Sequence, residues 1–113
     1  MNQNAIAKTI EDLRNKGNLS GVDVANIADV SKATVSRWVN GAAFPHPKTQ
    51  LVLTDLRYVV DRLEEFYSSD EIRLWLYARN DLLDGETAMA LINRGEADVV
   101  LQAIDDLAGS TFI

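Results

Sequence analysis

With 113 residues and 47% hydrophobic content, the chain is long enough for one compact domain, or two very small ones sharing a core. It has no cysteine, which excludes a disulfide framework and thiolate metal sites. No apolar run approaches the ~18 residues of a membrane span, and MNQNAIAKTIEDLR lacks the basic-then-apolar layout of a signal peptide, so a cytoplasmic protein is expected.

The net charge of −6 conceals a polarity. Residues 1–53 carry six Lys/Arg against four Asp/Glu, a balance of +2, whereas residues 54–113 carry five Arg against thirteen Asp/Glu, a balance of −8. A mildly basic front is compatible with weak, salt-sensitive phosphate contacts. The acidic back calls for a partner other than nucleic acid.

Taken in chain order, Ile6, Ile10 and Leu13 recur at i, i+4, i+7 and predict a helix from about Asn4 to Lys16, stopped by Gly17 and Asn18. Ser20 followed by Asp23 gives an S-x-x-D cap for the next helix. From Gly21 to Asn40 the stretch GVDVANIADVSKATVSRWVN reads as a helix-turn-helix. Val24, Ala25, Ile27 and Ala28 supply the inner face of its first helix, and Val30 plugs the turn. Val35 and Trp38 form the buried face of its second helix, with Ser31 at the N-cap and Gly41 just past the end. Asp29 stands where glycine is usual, and aspartate tolerates the left-handed backbone required there. The outward residues are Lys32, Ala33, Thr34, Ser36, Arg37 and Asn40. Arg37 suits guanine and Asn40 adenine, while Ser31, Lys32, Thr34 and Ser36 suit phosphates or base edges. A solvated polar face on a packing unit is the alternative that stays open.

The loop Ala42–Pro47 is rigid and non-helical, with Pro47 in the first turn of the next helix. From about Pro47 to Tyr67, Val52, Leu56, Val59, Leu63 and Phe66 make one stripe, widened by Leu53 and Val60. A face so broad is expected to join the two halves or to meet a second copy. Ser68 with Glu71 opens a short helix through Ile72, Trp75 and Leu76, with Trp75 expected in the core. A turn plugged by Leu82 and Leu83 follows. Gly85 then precedes a helix through Met89, Leu91 and Ile92, closed by Gly95. The last helix, roughly Glu96 to Leu107, carries Val100, Ala103, Ile104 and Leu107 inward. Asp105 and Asp106 fall near its unfavourable C-terminal end and have no folding rationale in the sequence; a basic partner would supply one. No segment reads as a strand.

No catalytic set is evident, so an enzyme is not expected and neither is a cofactor or metal. His46 is the sole histidine, flanked by prolines. The carboxylates are spread over helix faces, and neither a glycine-rich phosphate loop nor a Ser/His/Asp arrangement occurs.

The run WLYARNDLLDGETAMALINRGE, Trp75 to Glu96, resembles the C-terminal domain of the Xre/MbcA/ParS antitoxins, through Trp75, Leu76, Asn80, Leu83, Gly85, Leu91, Ile92, Gly95 and Glu96, then Val100, Ile104 and Gly109. Many members carry proline where this chain has Ala88. With the helix-turn-helix in front, the resemblance covers about residues 20–113, and chain order and length resemble the MbcA branch most. It implies an all-α protein with a helix-turn-helix domain (1–46), joined by a long helix to a helical toxin-binding domain (47–113). It further implies an antitoxin that blocks the active site of a RES-domain toxin consuming NAD⁺, dimerises, and represses its own operon on operator DNA. Carried onto this chain, the toxin-binding candidates are Trp75, Arg79, Asn80, Gly109, Ser110, Thr111, Phe112 and Ile113. For the last five, a frayed terminus is the plain alternative. A stand-alone helix-turn-helix repressor with a C-terminal dimerisation domain is the second reading of the whole chain.

Overall fold

The computed structural model describes residues 3–111, with side chains from 5 to 109. Phe112 and Ile113, and the side chains of Ser110 and Thr111, lie outside the described residues. Among the described residues, seven α-helices follow one another: α1 Gln3–Gly17, α2 Gly21–Ala28, α3 Lys32–Val39, α4 Pro47–Leu63, α5 Ser69–Tyr77, α6 Ala88–Asn93 and α7 Ala97–Thr111. The all-α expectation is met, with one correction. Residues Arg79–Asn80 (β1) and Glu86–Thr87 (β2) form a two-residue antiparallel pair around a 3-10 turn, Asp81–Leu83. A pair this short has no alternating pattern to announce it.

The helix starts follow local chemistry. Ser20 and Ser68 both close reciprocal capping boxes, with Asp23 and Glu71 respectively. Ser31 and Thr87 cap α3 and α6 by accepting from the amides of Thr34 and Ala90. Asp29 adopts the left-handed conformation expected of it, with φ 58° and ψ 41°. Gly17 ends α1 where it meets α4: an added Cβ would lie 3.3 Å from a Val60 methyl, so the glycine lets the two backbones approach.

Helix α4 is the spine. Leu53, Leu56, Val59, Val60 and Leu63 are fully buried, and α4 packs against α1, α2, α6 and α7. Its broad apolar face is therefore covered within the chain. It ends at Leu63, four residues before the expected Tyr67, because Phe66 and Tyr67 turn back, their amides donating to the Leu63 carbonyl, before Ser68 caps α5. Arg57 pairs with Asp12 at 3.1 Å and Lys16 with Asp61 at 3.2 Å, tying α1 to α4. One apolar cluster takes in residues from both the front and the back of the chain.

Two expectations are corrected. Trp75 is half-buried at the rim of the core, while its neighbours Ile72 and Leu76 fill the interior. Asp105 does have a reason within the fold: its carboxylate lies 2.9 Å from Arg62 of α4, and α7 continues beyond it to Thr111. Asp106 accepts from Gln102 one turn earlier. None of the helices is long and apolar enough to cross a membrane, among the described residues.

Candidate functional site

Helices α2 and α3 are joined by Asp29–Ser31 and pack through the residues expected. Val24, Ala25 and Ile27 are buried beside Val35 and Trp38, with Ala28 and Val30 packed against them. Lys32, Ala33, Ser36, Arg37 and Asn40 are all exposed on the outer side of α3. Within that face, Ser31 and Thr34 are already committed. The Ser31 hydroxyl accepts the Thr34 amide at 3.1 Å and bonds its hydroxyl at 3.0 Å, and Arg37 Nη2 donates to Thr34 Oγ1 at 3.0 Å. Thr34 thus aims the guanidinium, whereas Lys32 and Ser36 make no such bond.

The basic side chains divide into two groups. Ion pairs engage Lys8, Lys16, Arg57, Arg62, Arg73 and Arg94. Among the described residues, Arg14, Lys32, Arg37, Lys48 and Arg79 form none, and the first four belong to the front of the chain. Pairing therefore concentrates the unneutralised positive charge near α3, although the front balance is only +2.

The tightest polar cluster lies where α2 meets α5. The Asp23 carboxylate accepts from the Ser20 amide at 2.7 Å, the Ser20 hydroxyl at 3.0 Å, the Tyr77 hydroxyl at 2.6 Å, and Arg73. Arg73 lies over the Tyr77 ring, 5.0 Å from its centre, and donates to the Asn18 carbonyl. Burial pushes the Asp23 carboxyl up, but its bonds from Arg73, Tyr77 and Ser20 outweigh that and bring it down to about 2. The Tyr77 phenol is pushed up to about 12 by burial and by the same carboxylate. At the other end of α2, Asn93 of α6 donates to the Ile27 carbonyl at 2.6 Å and to Asp29 at 3.1 Å.

The back-half candidates sit on different elements. Trp75 shares a shallow, open depression on the outer side of α5 with Tyr67, Glu71, Leu74 and Ala78, and Leu74 is 70% exposed. Asn80 builds the turn after α5: its side chain accepts the Leu82 amide at 2.9 Å and its carbonyl accepts that of Gly85. Arg79 is exposed beside it, 3.4 Å from the Gly85 carbonyl. Gly109 is exposed near the end of α7 with open space around it.

No family model matches the chain. Curated relatives do. MbcA, the mycobacterial cidal antitoxin of Mycobacterium tuberculosis, and its counterpart in Mycobacterium bovis are each 31% identical over 113 residues, covering all of both chains. The chain belongs to the MbcA antitoxin family. A second M. tuberculosis member, the probable mycobacterial cidal antitoxin Rv3188, is 27% identical over 107 residues, 95% of this chain and 91% of its own. The crystal structure of the M. tuberculosis MbcT–MbcA toxin–antitoxin complex contains a chain that superposes with a TM-score of 0.80 at 31% identity, covering 95% of this chain and 96% of its own. The family likeness read from Trp75 to Glu96 thus extends over the whole chain, front helices included.

Proposed function

We propose that this antitoxin binds a RES-domain, NAD⁺-consuming toxin through its back half and blocks the toxin's active site. On this reading it also represses its own operon through α2 and α3, as a homodimer or within a larger toxin–antitoxin assembly. The observation that carries the reading is the end-to-end similarity to MbcA, whose own structure is known in complex with MbcT. The −8 balance of residues 54–113 and the exposed Leu74 beside the half-buried Trp75 suit a protein partner. Trp75, Arg79, Asn80 and Gly109–Ile113 are the residues assigned to it.

Co-expression with the neighbouring reading frame, following cellular NAD⁺ and growth, tests the proposal. The neighbour alone is expected to drain NAD⁺ and arrest growth, and this protein to restore both. A harmless neighbour, or one that stays toxic, would leave the stand-alone repressor reading, which the unpaired cations around α3 favour.

For the DNA role, Arg37→Ala is expected to weaken operator binding by ~1–3 kcal/mol, the usual worth of a bidentate base contact. Unchanged affinity in a gel-shift titration would remove Arg37 from the readout.

A further inference from the structure

Between α1 and α3 runs an open groove of about 340 Å³, bounded at one end by the start of α2. Val22 and Val39 line it and remain 48% and 44% exposed. Its polar lining is Arg14 from α1, Ser20 at the cap of α2, and Lys32, Ser36 and Asn40 from α3, with no carboxylate among the lining residues. Arg14 and Lys32 are two of the cations that form no ion pair among the described residues. The nearby acids are otherwise occupied: Glu11, in the adjoining cleft, faces Lys8 at 3.9 Å, and Asp23 is turned to α5 beneath Arg73 and Tyr77.

A strip that alternates unpaired cations and hydrogen-bonding groups with small apolar side chains matches a sugar–phosphate strand, with charge for the phosphates and C–H surface for the sugars. An acidic protein surface would satisfy the cations equally, but the groove is continuous with the outer face of α3 through Lys32, Ser36 and Asn40. We propose that Arg14 and Lys32 hold a backbone strand of duplex DNA in this groove while the rest of α3 faces the adjoining bases. The inference deepens the DNA-binding reading given above and rests on it. Arg14 acts as a sequence-independent contact that fixes the protein's position along the duplex.

The test is a fluorescence-anisotropy titration of the full chain, wild type, Arg14→Ala and Arg14→Lys. The probes are a random-sequence duplex and the duplex upstream of the protein's own coding region. Arg14→Ala is expected to weaken binding to both by the same factor. The slope of log affinity against log salt should fall by about 0.9, so the deficit shrinks about threefold between about 50 and about 200 mM salt. Arg14→Lys should keep the wild-type slope, and circular dichroism should be unchanged, because Arg14 is exposed. An unchanged slope in Arg14→Ala overturns the groove contact while leaving the DNA reading intact. A loss confined to one duplex makes Arg14 a base reader and overturns it too. Wild-type protein that binds neither duplex at low salt overturns both.

Discussion

Asp23→Ala is expected to lower folding stability by about 2–3 kcal/mol, a large share of the total for a domain of this size. The size follows from the low carboxyl value: a folded-state value of about 2 against an ordinary 3.8 corresponds to about 2–3 kcal/mol. The bonds from Ser20 are already part of it, so losing the capping box, which leaves the start of α2 without its carboxylate acceptor, is included and not added. Arg73 and Tyr77 are themselves partly exposed and regain water, so the larger penalty of a stranded buried charge does not apply. Thermal melts should fall by roughly 10–20 °C. The pH dependence has a definite sign. Because folding depresses this carboxyl, its contribution is complete above about pH 4 and is lost as pH falls towards 2. Wild-type and Asp23→Ala proteins should therefore differ most near neutrality and converge in acid. Equal melts at pH 7 would show that the cluster does not hold α2 to α5.

Deleting Gly109–Ile113 is expected to abolish neutralisation of the toxin in the co-expression assay while the melt moves by no more than a few degrees. The buried stripe of α7 runs through Val100, Ala103 and Ile104 and has given way to half-buried positions by Leu107. Arg62 holds α7 at Asp105, upstream of the deletion. These anchors of α7 all lie upstream of the deletion, so the helix should hold and the loss should be read by the proposed partner. A collapse of the helical circular-dichroism signal would instead assign them to the core and overturn the proposal that they block the toxin.

What the sequence announces and what it conceals divide along range. Ser20 with Asp23, Ser68 with Glu71, Asp29 in the turn and the stripe on α4 are local signals. The caps and the turn appear in the structure where spacing places them, and the stripe does so from Leu53 to Leu63, where the helix stops short of Phe66. The pairing of Asp23 with Arg73 and Tyr77, and of Asp105 with Arg62, spans 43 to 54 residues, and no local pattern encodes it. Trp75 illustrates a different limit. Helical periodicity selects the face of α5 but not how far that face is covered, so a tryptophan on the apolar stripe can stand at the rim. Arg14 was silent for a related reason: its position on α1 acquires meaning only once α3 lies alongside. The candidate residues of α3 were legible as an outward face, but the commitment of Ser31 and Thr34 to the helix start and to Arg37 was not.

Arg73 and Tyr77 of α5, through Asp23, and Asn93 of α6, through Ile27 and Asp29, grip α2 at its two ends. This leaves the outer face of α3 no swivel of its own relative to the back half. If α3 reads DNA as proposed, a slackly tethered α3 could search for a second half-site, and a fixed one could not. Where two copies are joined, the distance between their α3 helices is set by the symmetry of the joint, and either matches a whole turn of duplex, ~34 Å, or forgoes bivalent binding. Operator spacing is then a property of whatever brings the copies together.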